Sequence, residues 1–224
     1  MRVGVVILPD QRWVEAEAIW RECEELGFAH AWTYDHLTWR DLRDGPWFGA
    51  VPTLTAAAVS TSTIRLGTLV ASPNFRHPVT FAKELMSLDD VSNGRITLGI
   101  GAGGSGWDAS ALGQSSWSGK ERAERFAEFV EHLDQLLTQP KIDLLHGELY
   151  SAKDARAIPG CIQRPRLPFA IAASGPKGFA LAVQLGHSWV TYGDPKTAAE
   201  SDEDSAVAAA SAQQSGAYTH PDGG

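Results

Sequence analysis

The sequence predicts an α/β fold, a (β/α) barrel of the TIM type in which about six of the eight strands are present. Short apolar runs at residues 64–71 and 95–100 flank a helical segment, which is the pattern of a parallel βαβ unit. The same alternation precedes and follows this unit. A complete barrel needs eight strands and typically ~250 residues, whereas the alternation stops after the sixth run in this chain of 224 residues.

Each element follows from local patterning. The predicted strands are residues 3–8, 28–34, 64–71, 95–100, 169–173 and 188–192. Amphipathic helices are predicted around residues 16–26, 52–60, 78–92, 121–137 and 179–185, because apolar side chains recur there at spacings of three and four. Residues 107–119 read as a polar loop. Residues 141–168 read as an excursion, with a hairpin turning at His146 and Gly147 and then a proline-rich return.

The domain organisation predicted is one barrel domain, residues 1–196, followed by a low-complexity tail, residues 197–224. The tail contains no Lys or Arg and is dominated by alanine, serine and acidic residues. That composition favours disorder or a loosely formed helix over two further strands.

Composition excludes several classes of function. Charged residues make up 21% of the chain and the net charge is −8, so no basic surface for nucleic acid is expected. No apolar run is long enough for a membrane span or a signal peptide. Cys23 and Cys161 form no metal-binding or redox motif, and a cytoplasmic location without a metal site is expected.

The glycine-rich segment after the fourth predicted strand is the most conspicuous motif. Residues 99–104 satisfy the GxGxxG pattern of dinucleotide-binding turns. That interpretation requires the first βαβ unit and an immediately following helix, whereas here a polar loop follows the fourth strand. We therefore reject it. Small residues at a strand end instead suit the close approach of a flat ring to the backbone.

Several motifs together resemble the luciferase-like flavin-dependent oxidoreductases, a (β/α) barrel family that uses FMN or the deazaflavin coenzyme F420. The resemblance covers residues 1–193. The motifs that carry it are residues 25–28, 32–36, 66–68, 76–78, 88–95, 99–103 and 163–168.

The resemblance implies a catalytic pair, Asp35 and His36, at the end of the second strand. A histidine here resembles the deazaflavin-using branch, in which it faces the ring and can polarise or protonate the substrate or cofactor. The alternative is a histidine that only hydrogen-bonds backbone in a turn. The pair makes F420 the favoured cofactor and FMN the alternative. Some sugar-oxidising relatives carry a glutamate at the position of Gly104. Its absence here argues against that activity, and Asp108 is the nearest acid that could substitute for it.

The resemblance also implies where the cofactor binds. The Leu69–Val70 bond aligns with a non-proline cis peptide that backs the ring. Residues 174–178 would hold the phosphate at a helix N-terminus, although an ordinary helix start is an open alternative. Arg76 and His77 either line the pocket or cap the next helix. The predicted cofactor-binding residues are Leu69, Val70, Ala71, Asn74, Gly101, Ala102, Gly103, Ser174, Gly175, Lys177 and Gly178.

Two functions are compatible with these features. The first is a luciferase-like oxidoreductase or monooxygenase that transfers hydride, via reduced deazaflavin or FMN, to or from a small organic substrate. The second is a catalytically inactive, shortened family member that binds flavin weakly or acts as an interaction module. In both, the first and sixth strands would have an unpaired edge, which favours a homodimer.

Overall fold

The computed structural model describes residues 2–104 and 106–191. Its strands are β1 (Gly4–Val6), β2 (His30–Thr33), β3 (Arg65–Thr68), β4 (Ile96–Gly101), β5 (Lys141–His146), β6 (Ser151–Arg156), β7 (Phe169–Ala172) and β8 (Ser188–Val190). Its α-helices are α1 (Trp13–Glu25), α2 (Ala50–Ser60), α3 (Pro78–Val91), α4 (Trp107–Ala111), α5 (Gly119–Thr138) and α6 (Pro176–Leu185). Short 3₁₀ turns span Arg40–Asp44 and Pro73–Phe75.

The main sheet is a curled half-barrel of six parallel strands in the order β1-β2-β3-β4-β7-β8. The predicted α/β class and the number of strands in the sheet are confirmed. Because neighbouring strands are parallel throughout, all six carboxyl ends lie along one edge of the sheet. The loops that follow these ends can therefore build a common site.

The centre of the sheet is the most deeply buried part of the core. All six residues of β4 are buried, as expected for a parallel strand covered on both faces. Helix α3 packs its apolar face against this region, with Phe81 fully buried and Leu85 nearly so. The helix ends where the sequence predicts, because Gly94 takes the left-handed backbone conformation with φ of +75°.

The predicted excursion is confirmed as an antiparallel hairpin of β5 and β6, which pair from Lys141 with Arg156 to His146 with Ser151. The carboxylate of Glu128 on α5 holds its turn. It accepts hydrogen bonds from the backbone N–H groups of Glu148, Leu149 and Tyr150 at 2.6 to 3.2 Å. The hairpin lies outside the main sheet, so β7 is the strand that pairs with β4.

The predicted polar loop at residues 107–119 is partly wrong, because α4 forms within it. Serine and glycine around α4 suggested a loop. However, Asp108 lies in its first turn and is 3% exposed, so a contact with a distant part of the chain stabilises the turn. Such a contact leaves no local pattern in the sequence.

The predictions for the C-terminal part of the chain lie largely outside the described residues. The sequence predicts the sixth strand at residues 188–192. The structure places β8 at Ser188–Val190, and residue 192 is not described. The predicted tail, residues 197–224, also lies outside. Within residues 2–104 and 106–191, no helix combines the length and apolar character needed to cross a bilayer.

Candidate functional site

The candidate site lies at the carboxyl ends of β2, β3, β4 and β7. The ends of these strands and the segments that follow them contain every site residue the sequence predicts. The strand pairing brings residues far apart in the chain to one edge of the sheet. Two hydrogen-bonded side-chain pairs, a row of mostly small residues and a helix N-terminus lie there.

The first charged pair joins Asp35 to Arg76. Both carboxylate oxygens of Asp35 accept hydrogen bonds from the guanidinium, Oδ2 from Nε at 2.9 Å and Oδ1 from Nη2 at 2.7 Å. Asp35 is 2% exposed. Burial alone would lower the pKa of Arg76, but the carboxylates of Asp35 and Glu84 raise it above its ordinary value. Arg76 therefore stays charged and is fully engaged.

The second pair joins His36 to Asp108. The Nδ1 atom of His36 lies 2.9 Å from Oδ2 of Asp108, and the backbone N–H of Leu37 donates to Oδ1 at 2.8 Å. Asp35 and His36 are therefore adjacent in sequence but have different partners. The spacing of 72 residues between His36 and Asp108 explains why sequence reasoning missed this pair.

Two tryptophans also hold His36. Its ring stacks on Trp39 with centroids 4.1 Å apart and planes 22° apart. The indole N–H of Trp47 donates to the backbone carbonyl of His36 at 2.8 Å. Sequence reasoning named neither, although an aromatic residue three positions after a candidate catalytic histidine was a usable signal.

The ends of β3 and β4 form the row of small residues. The Leu69–Val70 peptide bond is cis, as the family resemblance implied. Beyond it the pairing resumes, since Ala71 N–H donates to the Gly99 carbonyl at 2.7 Å and Gly101 N–H donates to the Ala71 carbonyl at 2.9 Å. Leu69, Val70, Ala71, Gly101, Ala102 and Gly103 thus come together at adjacent strand ends.

Asn74 lies beside this row and has an unmet hydrogen-bonding atom. Its Nδ2 donates to the Gly104 carbonyl at 3.3 Å. Its Oδ1 is buried and has no hydrogen-bond partner in the part of the chain that is described. A Cβ at Gly103, where φ is +77°, would lie 2.5 Å from Asn74 Nδ2. Gly103 is therefore required for the approach of Asn74 to this strand end.

The N-terminus of α6 lies after β7. Gly175 precedes the helix with φ of +83°, and no side chain caps the first turn. Ser174 and Lys177 are exposed, and no atom lies within 4 Å of a Cβ built at Gly175. Gly178 instead packs closely on Ala173, where a Cβ would approach the Ala173 Cβ to 2.8 Å. The backbone N–H groups of this turn are open to a ligand.

His77 is a helix cap, one of the two roles predicted for it. Its Nδ1 accepts a hydrogen bond from the backbone N–H of Val79 at 3.3 Å, at the start of α3. Arg76 does not cap the helix, because its guanidinium bonds the carboxylates of Asp35 and Glu84. Both residues therefore stabilise the segment that joins β3 to α3.

These features fit a flat, phosphate-bearing cofactor. The backbone at Gly104 adjoins open space, whereas Cβ atoms at Gly101 and Gly103 would approach Val70 and Asn74 to 3.1 and 2.5 Å. The unpartnered Asn74 Oδ1 can accept a hydrogen bond from a ring N–H, and the N-terminus of α6 can hold an anion. Among residues 2–104 and 106–191, no group of three or more His, Cys, Asp or Glu is placed to hold a metal ion.

The fold and the site define a class, the parallel (β/α) barrel proteins that bind a ligand at the carboxyl ends of their strands. Within that class, residues 1–220 match the family of luciferase-like monooxygenases. The chain belongs to this family.

Known relatives include deazaflavin-dependent enzymes. The chain is 36% identical over 171 residues to an F420-dependent glucose-6-phosphate dehydrogenase of Beutenbergia cavernae, covering 75% of this chain and 49% of that protein. It is 31% identical over 188 residues to a 5,10-methylenetetrahydromethanopterin reductase of Archaeoglobus fulgidus, covering 83% and 51% respectively. The chain therefore spans about half the length of these enzymes.

Solved structures share the fold. The monooxygenase RslO1 from Streptomyces bottropensis superposes with a TM-score of 0.79 at 25% identity, covering 98% of this chain and 68% of that one. An F420-dependent secondary alcohol dehydrogenase in complex with an F420-acetone adduct superposes with a TM-score of 0.78 at 22% identity, covering 93% and 66%.

Proposed function

We propose that this protein is an oxidoreductase that transfers hydride between a small organic substrate and a deazaflavin cofactor, coenzyme F420. The observation that carries the proposal is His36, which is fixed at the carboxyl end of β2 beside a row of small residues. The names of the relatives support the choice of cofactor, since several are F420-dependent dehydrogenases. The bound cofactor would supply the redox chemistry, and the chain would position it.

The residues then have distinct roles. His36 would take up or return the proton of the substrate. Leu69, Val70 and Ala71 would support the ring, and Gly101, Ala102 and Gly103 would line it at the adjoining strand end. Asn74 would hold the ring through its unpartnered Oδ1. The first turn of α6, with Ser174, Gly175, Lys177 and Gly178, holds the phosphate.

Asp35 has a different role from the catalytic one that its place beside His36 suggested. Its carboxylate is fully engaged by Arg76, so we assign it to the support of the loop that carries His36.

Two alternatives have their own support. The first is a monooxygenase that uses FMN, and the similarity to the monooxygenase RslO1 supports its use of oxygen. A catalytically inactive flavin binder or interaction module is the second alternative, for which the two outer strands of the described sheet, β1 and β8, would be the contact edges. Residues 1–196 are the unit we assign the function to, with residues 197–224 as a separate low-complexity tail.

We also propose a homodimer. β1 pairs only with β2 in the described sheet, Val3 is 50% exposed, and an apolar groove of about 270 Å³ runs along β1 past Ile7 and Ile19. A second copy could cover this edge. Light scattering on the full chain tests the proposal, and a monomeric mass at micromolar concentration would contradict it.

The decisive experiment is a fluorescence titration of the full chain with F420 and, separately, with FMN. We expect tighter binding of F420. Equal or tighter binding of FMN would overturn the choice of cofactor. Binding of either without turnover of any alcohol or sugar substrate would favour the inactive alternative.

A further inference from the structure

The carboxylate of Asp108 uses both of its oxygens on the segment that carries His36. Oδ2 lies 2.9 Å from His36 Nδ1, and Oδ1 accepts the Leu37 backbone N–H at 2.8 Å. Asp108 is 3% exposed, so little water competes for either oxygen. One buried side chain therefore fixes the imidazole and the adjacent main chain at once.

This contact determines which ring nitrogen of His36 carries the proton. A carboxylate has only acceptor atoms, so a neutral His36 bonded to it must carry its proton on Nδ1. The other nitrogen, Nε2, is then an acceptor, and no described residue hydrogen-bonds it. The stacking on Trp39 at 4.1 Å limits rotation of the ring out of this orientation.

We propose that Asp108 is the positioning residue of the site and holds His36 in the tautomer whose Nε2 is free to accept a proton. When His36 takes up a proton, the adjacent carboxylate also stabilises the imidazolium. The inference rests on the proposed function for its consequence in catalysis, but the tautomer itself belongs to the chain alone.

The charged groups near His36 leave Asp108 as its electrostatic partner. Asp35 is adjacent in sequence, but Arg76 engages both of its oxygens. Arg40 and Arg43 lie over the rings of Trp39 and Trp107, at 4.6 and 5.3 Å from the ring centroids. Neither arginine is bonded to the imidazole.

The test is ¹⁵N NMR of the imidazole nitrogens in the full chain without cofactor, with His36 assigned by comparison with His36→Ala. We expect His36 of the unmodified protein to show a protonated Nδ1 at a pH at which the ring is neutral. In Asp108→Asn the carboxamide can accept the Leu37 N–H and donate to Nδ1. We therefore expect the proton to move to Nε2 in that variant.

Asp35→Asn is the matched control, because it changes the neighbouring carboxylate in the same way. We expect it to leave the His36 tautomer unchanged. A His36 tautomer that is the same in Asp108→Asn as in the unmodified protein, with the variant folded by circular dichroism, would overturn the proposal. So would a shift in Asp35→Asn of the size seen in Asp108→Asn.

A kinetic measurement separates this inference from the proposed function. With F420 and a turned-over substrate, Asp108→Asn should lower kcat by up to about 10⁴-fold, while the Kd for cofactor changes much less. A changed tautomer with no loss of kcat on any substrate would leave Asp108 as the positioning residue and overturn the role of His36 in catalysis.

Discussion

At the residue scale, Asp35 and His36 have different partners, and we propose a chemical role only for His36. The backbone turn at the end of β2 sends Asp35 to Arg76 and His36 to Asp108. Two side chains that follow one another in sequence therefore belong to different charge networks. This division implies different losses on mutation, of stability for Asp35 and of turnover for His36.

Asp35→Asn should destabilise the protein. Removal of one member of a buried ion pair leaves the other charge uncompensated, at a cost of about 3 kcal/mol in the free energy of unfolding. Urea denaturation measures it. Because Glu84 remains bonded to Arg76 at 2.8 Å, the loss should fall at the low end of the range for such pairs.

The double variant Asp35→Asn with Arg76→Met is the control. It removes both charges, so it should recover part of the stability lost in the single variant. A double variant that loses the sum of the two single losses would mean that the pair does not interact as the geometry indicates.

His36→Ala should act on turnover and not on binding. Loss of a group that transfers a proton lowers kcat by about 10²- to 10⁴-fold, while the backbone contacts at the ends of β3 and β4 are unaffected. Steady-state kinetics and a cofactor titration measure the two quantities. An unchanged kcat would reduce His36 to a hydrogen-bonded turn residue.

The residues of the site could be predicted in part. Their positions at strand ends follow from local patterning, and so does the helix start at Pro176. Their partners could not be predicted. The contact between Asp108 and His36 depends on how α4 returns over β2, and nothing in the residues near either position encodes that path.

At the element scale, glutamates on two helices accept hydrogen bonds from backbone N–H groups at the start of a strand or in the turn of a hairpin. Glu24 on α1 accepts hydrogen bonds from the backbone N–H groups of Ser62 and Ile64 at 2.9 Å, just before β3. Burial opposes the charged form of Glu24, but the backbone hydrogen bonds from residues 62–64 outweigh it and lower its pKa to about 2. Charge on Glu24 is therefore coupled to the entry into β3.

The stability of the protein should fall in acid partly through Glu24. Its pKa in the folded state lies below the ordinary value of 4.5, so the unfolded chain takes up this proton first. The stabilisation is complete above pH 4.5 and is lost as the pH falls towards 2. Glu24→Gln should lower the melting temperature near neutral pH and flatten the decline between pH 5 and about pH 3.

Glu25→Gln is the matched comparison, because Glu25 is the next residue of α1 and is exposed. The fall of its melting temperature in acid should resemble that of the unmodified protein. If the melting temperature of Glu24→Gln fell as steeply as that of Glu25→Gln, the pKa of Glu24 would not be lowered in the folded state.

Glu128 plays the same part for the hairpin. Glu128→Ala removes the acceptor for the N–H groups of Glu148, Leu149 and Tyr150. Loss of about 1.4 kcal/mol of hydrogen bonding corresponds to about tenfold faster amide exchange at these residues. Hydrogen exchange with mass spectrometry measures the exchange rates of the turn amides. The control is Glu131→Ala, at an exposed position of α5, which should leave these rates unchanged.

At the scale of the whole molecule, the described sheet has two outer strands. β1 pairs only with β2, and β8 only with β7, whereas β3 and β4 have partners on both sides. Backbone groups on an outer edge open more readily. Amides of β1 and β8 should therefore exchange faster than those of β3 and β4, and uniform protection in a monomer would mean that the edges are covered.

The architecture was more predictable than the site. Helix and strand periods are local, so they placed the six strands of the sheet and the hairpin at residues 141–156 from the sequence alone. The exception is α4, where a distant carboxylate contact outweighed a loop-forming composition. Pattern reasoning succeeds where one face of an element is buried, and fails where a single long-range polar contact decides the conformation.

The hairpin of β5 and β6 has a consequence for how this chain can change over evolution. The backbone N–H of Ala157 donates to the Pro140 carbonyl at 3.0 Å, so the hairpin between them starts and ends at fixed points. Closure of such a segment costs only about 0.6 kcal/mol more for each doubling of its length. Insertions and deletions at the tip of the hairpin therefore cost little stability. They can change the surface that the hairpin presents while the register of the six parallel strands stays the same.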